Sequence, residues 1–512
     1  MYASHGFLRS DIGDVDVIYH DGLYHLFHLV LPNHDFIAHA VSADGMTWRR
    51  VKNALFVGDP GAWDDDMLWT MHVTPDPDRT GMWRMFYTGL ARAEYGRVQR
   101  VGLARSADLY RWEREGEGYP LEIPTEHYEA TVDEGRHWVS FRDPFFFHDP
   151  ESGTRLLLAA GRVKDGPVIR RGCVSLARET APDRFEFGPP LYKPGLYDDV
   201  EVPNLFEFGG RYYLLGSIRE DTKVHYWYSD TIEGPYENFY DNVLMPAGNY
   251  AARICRNSGR LLLFNFFTRT ETVQGREFVK KLLPPPKEIV AGPSGRLRLK
   301  SYHGFDDVVT ETRQIAAAEC HPLYGNPYAT IEQRNSGLFT SCRSGYEAFL
   351  MPGHYGDFRL RAEITLEGEG KCGLVLRCNE EGDGYYLSLD LVKGVAQMRA
   401  WGANPHPEFE HAFKYEQLQE AHFRGSGHGP WKIEVVAHGM YLEVSIDSYV
   451  TLSLVDEAYT EGGLGFYVES ASLGLHHVTV EHLARPVIEH APEAVYTTTH
   501  VPDIAAQEGT GA

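Results

Sequence analysis

The sequence predicts an all-β chain in two parts, a five-bladed β-propeller over residues 1–300 and a β-sandwich over residues 320–486, joined by a linker at 301–319 and ending in a tail at 487–512. Three observations carry this. Short β-rich runs recur through the first part at intervals of roughly 50 to 70 residues, the mark of a repeat architecture. The run Leu282-Leu-Pro-Pro-Pro-Lys287 then breaks the pattern, since three prolines cannot sit in a paired strand. Beyond it the alternation of apolar and polar residues becomes longer and different in kind.

The recurring runs are Leu23–His28, Met82–Gly89, Thr154–Gly161, Arg211–Gly216 and Arg260–Asn265. Most follow an apolar strand and a turn, as in Val17-Ile-Tyr-His-Asp-Gly22 and Leu205-Phe-Glu-Phe-Gly-Gly210, and Asp-Gly and Gly-Gly are good hairpin turns. Each run is therefore half of a hairpin. The segments Ile37–Trp48 and Val101–Trp112 resemble each other directly, with Ala-x-Ser-Ala-Asp before the tryptophan region, and His225–Tyr236 reads as a degenerate third copy. Antiparallel units repeated five times read as a propeller, in which radial repetition leaves only short edges. In the second part, Asp357–Leu366, Gly373–Arg377, Tyr385–Leu391, Trp431–Val436, Tyr441–Ile446 and Gly463–Val468 alternate as strands without intervening helices. That is a sandwich pattern, expected as a jelly roll of the concanavalin or laminin-G kind.

Bulk composition narrows the function. A formal charge of −23 with no Lys/Arg-rich stripe argues against nucleic acid and for a neutral partner such as an oligosaccharide or polysaccharide. No segment approaches the 18 or so consecutive apolar residues of a membrane span. The first ten residues lack the basic stretch and apolar run of a signal peptide, so a cytoplasmic location is the expectation, with secretion open to a chain already trimmed of a leader. The six cysteines are scattered without metal-type spacing, and neither a metal nor another cofactor is expected.

Position singles out three carboxylates among 72 acidic residues. The innermost strand of a propeller blade delivers side chains to the central channel, and three blades begin with an acid on an apolar strand: Gly13-Asp-Val-Asp-Val-Ile18, Phe141-Arg-Asp-Pro-Phe-Phe146 and Asp199-Val-Glu-Val-Pro-Asn-Leu-Phe206. Cleaving a glycosidic bond takes one carboxylic acid to protonate the leaving oxygen and one carboxylate to attack the anomeric carbon or activate water. A third orients hydroxyls and stabilises developing positive charge. An Asp before a strand commonly caps a turn, but matching acids in separate blades are not explained that way. Trp63, Trp69 and His72, with Trp48, are candidates to stack on or bond a sugar at the channel mouth, and Arg142 to bind a hydroxyl or pair with a channel carboxylate.

At these residues the chain resembles the furanosidase propellers, especially glycoside hydrolase families 32 and 68, and more distantly family 43. Arg142-Asp143-Pro144 matches the Arg-Asp-Pro motif of the fructoside group, and Glu201-Val-Pro-Asn-Leu-Phe206 resembles Glu-Cys-Pro-Asp-Leu-Phe. Ala38-His-Ala-Val-Ser42 and Phe86-Tyr-Thr-Gly89 are similar to further family 32 segments. The chain departs from the pattern at Val202 and Asn204, and at Gly13-Asp14-Val15-Asp16, where family 32 has Asn-Asp-Pro-Asn-Gly and family 43 aligns Asp14 without a shift. The resemblance implies Asp14 as nucleophile, Asp143 as transition-state stabiliser and Glu201 as acid/base, with Asp16 the rival for the first role or a substrate contact. It also implies a retaining, exo-acting glycosidase or transglycosidase on a β-fructofuranoside. The alternatives are an inverting arabinofuranosidase or xylosidase and a carbohydrate-binding propeller without catalysis.

Overall fold

The structure, a computed structural model, describes residues 11–273, 276–334, 337–368, 370–403, 413–423 and 429–486. The tail expected from residue 487 lies outside the described residues. Five antiparallel sheets follow one another along the chain, each contiguous in sequence. Their inner strands are Asp11–His20, Met67–Pro75, Arg142–His148, Glu201–Phe208 and Asn249–Asn257, in blades 1 to 5. The repeating runs seen in the sequence form the second strand of each blade, ending with Arg260–Val273 in blade 5. The triple proline falls between strands Arg276–Leu282 and Lys287–Ala291, and blade 5 closes with Leu297–Lys300.

The propeller has no single core. Each seam between blades carries its own apolar cluster: Leu68, Met71 and Tyr87 pack with Phe27 between blades 1 and 2, Phe86 with Phe146 between blades 2 and 3, Leu158 with Leu214 between blades 3 and 4, and Leu215 with Leu263 between blades 4 and 5. Among the described residues blade 1 exchanges no strand with blade 5, and side chains such as Leu26 and Phe264 pack across their seam. Tyr302, buried just after blade 5, clasps that seam: its hydroxyl donates to the Asp44 carbonyl at 2.8 Å and lies 3.4 Å from the Tyr24 hydroxyl.

Every inner strand is bulged at one level. Register slips between Ile12 and Val15, Trp69 and Met71, Arg142 and Phe145, Glu201 and Asn204, and Tyr250 and Arg253. At that level Asp143, Val202 and Ala251 take φ of 60°, 50° and 51°, a left-handed backbone that is costly for residues other than glycine and most of all for a β-branched one. Bulges turn side chains and leave ladder groups unpaired. Arg253 collects the freed carbonyls: its guanidinium donates to Pro203 at 2.6 Å, Pro144 at 2.9 Å and Met71 at 3.5 Å, and its Nε lies 3.8 Å from Asp16 Oδ1. One side chain of blade 5 thus ties blades 1 to 4.

The region read as linker is not one throughout. Within 301–319, Val309–Gln314 is a strand paired with Ser472–Leu483 of the second domain. That pairing adds a strand to the larger sandwich sheet. Two sheets, of eight and seven strands among the described residues, make the sandwich, and their facing sides share a cluster that includes Leu360, Val435, Leu374 and Phe466. Asn249 Nδ2 donates to the Ser453 carbonyl at 2.9 Å and Gln419 Nε2 to the Ala247 carbonyl at 2.6 Å, so the sandwich braces blade 5.

Arg253→Met is expected to destabilise the chain by about 3 to 5 kcal/mol, because Asp16 and three carbonyls lose their partner inside the protein. Urea unfolding followed by circular dichroism checks this. Arg253→Lys should recover little, as an ammonium lacks the fork that reaches several acceptors at once.

Candidate active site

The bulges build the site. Gly13, Trp69, Arg142, Glu201 and Tyr250, at or beside these bulges, line one cavity of about 460 Å³. Asp14 and Asp143 line it too. Gly13 is required by close approach: a Cβ there would stand 2.7 Å from Leu29 Cβ.

The bulge between Ile12 and Val15 separates the two rival carboxylates. Asp14 faces the cavity, its Oδ2 accepting a hydrogen bond from the Thr70 hydroxyl of blade 2. Asp16, 2% exposed, sits deeper on the axis, where it accepts from the Val73 N–H at 2.6 Å and pairs with Arg253. It is a structural anchor and does not line the cavity, contrary to its expected contact with substrate. Strand alternation alone put both on one side; the bulge is what turns them to different tasks.

Asp143 is held from both ends. Its N–H donates to Thr88 Oγ1 at 3.2 Å and its Oδ2 accepts from the Val202 N–H at 3.0 Å, which offsets part of the strain at both left-handed residues. Its other oxygen, Oδ1, is buried with no partner among the described residues, available to a ligand hydroxyl. Burial pushes this carboxyl up to about 6 against the pull of Arg142, and the negative charges of Asp14 and Glu201 push the same way.

Glu201 opens the inner strand of blade 4. Its Oε1 accepts from Arg142 Nη2 at 2.6 Å and its Oε2 from the Tyr250 hydroxyl at 2.6 Å. Burial and the Glu201 charge hold the Tyr250 phenol far above its ordinary value, so it remains a proton-bearing donor. Arg142 also reaches Asp199 at 3.2 Å and Gln99 Oε1 at 3.4 Å.

Of the residues expected to contact sugar, Arg142 and Trp69 line the cavity, Trp69 with its ring stacked on His34 at 5.4 Å and its buried indole N–H unpartnered among the described residues. Trp63 does not: it stacks on Tyr87 and fills the space above Gly89 and Gly102, packing that no side chain at those glycines would permit. His72 does not either; its ring stacks on Phe145 at 4.3 Å and its nitrogens face Asp16 and the Phe146 carbonyl on the axis. Trp48 is core between blades 1 and 5. Sequence reasoning passed over Gln99, Trp138, Asp199, Arg219, Tyr250 and Lys281, all on the cavity wall. Tyr250 had a signal: aligned by blade, it precedes Ala251 as Arg142 precedes Asp143 and Glu201 precedes Val202. The others come from loops and outer strands that no repeat marks. A second cavity, of about 530 Å³, lies against the sandwich, where Arg359 and Arg361 are already paired with Asp306, Glu434 and Glu481.

The inner strands of a five-bladed propeller thus bring Asp14, Asp143 and Glu201 to one cavity, a set of carboxylates with which glycosidic chemistry can be done. Residues 14–253 match the model of the Glycosyl hydrolases family 32 N-terminal domain. Those residues, just under half of the chain, are thus similar to the N-terminal domain of family 32. A levanase of Bacillus sp. (strain L7) is 28% identical over 211 residues, which cover 39% of this chain and 21% of the levanase, so the match spans about a fifth of that relative's length. Among solved structures, the family 32 β-fructofuranosidase of Bombyx mori has a TM-score of 0.62 at 16% identity, over 93% of this chain and 92% of its own. Fructan 1-exohydrolase IIa from Cichorium intybus gives 0.65 at 13% identity, over 94% of this chain and 98% of its own. Exo-inulinase from Aspergillus awamori gives 0.66 at 12% identity with the same two coverages, 94% and 98%. At these identities the likeness speaks for the fold.

The raised Asp143 carboxyl makes the site a cost to stability. A carboxyl raised in the folded chain binds its proton more tightly there than when unfolded, so stability falls as pH rises from about 3.8 to about 6 and the full cost persists above. Asp143→Asn should therefore raise the melting temperature at pH 7 while lowering activity, and the difference from wild type should vanish below pH 4. Differential scanning calorimetry across pH reads it; equal gains at pH 7 and pH 3.5 would contradict the assignment.

Proposed function

We propose that the chain is a retaining, exo-acting β-fructofuranosidase. The observation that carries this reading is the convergence of Asp14, Asp143 and Glu201 on a cavity whose remaining walls include tryptophans and hydrogen-bond donors. Glu201 protonates the leaving oxygen while Asp14 forms a bond to the anomeric carbon and the glycosidic bond breaks. Glu201, now a carboxylate, takes a proton from water, whose oxygen displaces Asp14 and regenerates the enzyme. Asp143 offers Oδ1 to sugar hydroxyls, and its charge stabilises the oxocarbenium-like transition state. Trp69 and Trp138 offer apolar faces to the ring. The cavity volume is at the small end for ligand pockets, which favours a chain end over a polymer running through. Further support is the character of the similar proteins, described as a levanase, a β-fructofuranosidase, a fructan exohydrolase and an exo-inulinase.

The test is sugar release from sucrose, inulin-type and levan-type fructans, arabinan and arabinoxylan fragments by wild type, Glu201→Gln and Asp14→Asn. The expected result is free fructose without oligosaccharide products from at least one fructoside, reduced about a hundredfold or more in both variants. NMR of the first product should show the starting anomeric configuration. Release of pentoses alone, or inversion at the anomeric carbon, would replace this reading with an inverting arabinofuranosidase or xylosidase. Silence on every substrate would favour a carbohydrate-binding propeller for furanosides of this kind.

A further inference from the structure

Glu201 is ringed by hydrogen-bond donors and cations. Arg142 Nη2 donates to Oε1 at 2.6 Å, Arg219 Nη2 lies 3.3 Å from the same oxygen, and the Tyr250 hydroxyl donates to Oε2 at 2.6 Å. A general acid must carry its proton when substrate arrives. Two guanidinium groups lie against this carboxylate, so what else they pair with bears on its role.

Asp199, two residues earlier and 2% exposed, faces the same cations. Its Oδ2 lies 3.2 Å from Arg142 Nη2, 2.8 Å from Arg219 Nη2 and 3.0 Å from Arg136 Nη1. Burial pushes the Asp199 carboxyl up, but Arg142 and Arg136 outweigh it and hold it below its ordinary value. The other acids of the cluster are Asp143, 3.5 Å from Arg142 Nε, and Asp198, 3.6 Å from Arg219 and paired also with Arg136; Asp14 faces the cavity opposite. With Asp199 ionised, Arg142 and Arg219 each keep a counter-charge other than Glu201. Glu201 then takes up a proton without leaving either guanidinium unpaired.

We propose, resting on the assignment of Glu201 as acid/base, that Asp199 is a positioning residue for the first chemical step, neutralising Arg142 and Arg219 so that Glu201 meets the glycosidic bond protonated. The proton passes from Glu201 to the leaving oxygen as Asp14 bonds to the anomeric carbon, and Asp199 neither gains nor loses one. The same carboxylate holds Arg136, whose guanidinium lies 4.3 Å from the ring centroid of Trp138 on the cavity wall. One buried anion thereby serves both the proton donor and the wall beside it.

Asp199→Asn keeps the shape and removes the charge. The measurement is the pH profile of kcat/KM on a fructoside with a sugar leaving group and on one with an activated aryl leaving group. The alkaline limb should move down by about one pH unit, a tenfold loss on that side of the profile. The aryl substrate, which needs little protonation, should lose far less, and Asp199→Glu should restore the limb. A fall in kcat that is uniform in pH and equal for both substrates is what a merely structural role gives, and it would overturn the proposal. A readout independent of turnover uses protein with 13C-labelled glutamate carboxyls, the Glu201 signal being the one missing from Glu201→Gln. Its titration midpoint should be lower in Asp199→Asn than in wild type; an unchanged midpoint overturns the proposal. Wild type inert on every fructoside would count against the fructosidase reading alone, with the NMR titration still deciding the role of Asp199.

Discussion

At the centre of the ring, Arg253 of blade 5 ties blades 1 to 4, and the rest of the propeller is arranged around what it satisfies. A bulge in each inner strand frees backbone carbonyls inside the protein, where an unpaired polar group is costly. Arginine presents five donors in a rigid fork, the only side chain able to answer carbonyls from three strands and a carboxylate from a fourth. Asp16 supplies the counter-charge, so the buried cation is compensated. Since the blades share no strand among the described residues, this polar axis and the clasp at Tyr302 help to hold the ring together.

The active site is the consequence of that construction. Asp14, Asp143 and Glu201 come from three different blades, and their relative positions depend on the inner strands holding one level. Like charges brought together out of water raise the Asp143 carboxyl, a cost that the fold carries and that the reaction uses, since an unpartnered carboxylate oxygen already aimed at the ligand needs no rearrangement. The backbone strain at Asp143 and Val202 belongs to the same bargain: each left-handed residue is stabilised by a hydrogen bond between the two, the Val202 N–H to the Asp143 carboxylate.

Around this triad lies an ionic cluster that the three-carboxylate scheme alone does not require. Arg136, Arg142 and Arg219 converge on Asp199 from three parts of the chain, and only one of them is announced by a motif. Among the described residues the sandwich contributes none to the cavity lining; its hydrogen bonds to Ala247 and Asn249 hold the start of the inner strand that carries Tyr250 and Arg253.

The sequence by itself determined the class of fold, the number of blades and the placing of Asp14, Asp143, Glu201 and Arg142 on inner strands, because strand periodicity, turn chemistry and short motifs are local properties of the chain; the triple proline, read as the point where the pattern breaks, instead lies between two strands of blade 5. The fates of Asp14 and Asp16 were not legible, since a bulge changes which way a side chain faces without changing the pattern of apolar residues. Trp63 and His72 have the chemistry of sugar contacts, yet the space over Gly89 and Gly102 and the face of Phe145 claimed them, and only neighbours distant in sequence reveal that. Tertiary structure likewise decided that Val309–Gln314 is a strand, through its pairing with Ser472–Leu483 some 160 residues away, and that Asp199 stands beside Glu201 with three arginines. Long-range packing and ion pairing are sums over residues that no local pattern brings together, which is why the motifs named the acids and the fold alone supplied their surroundings.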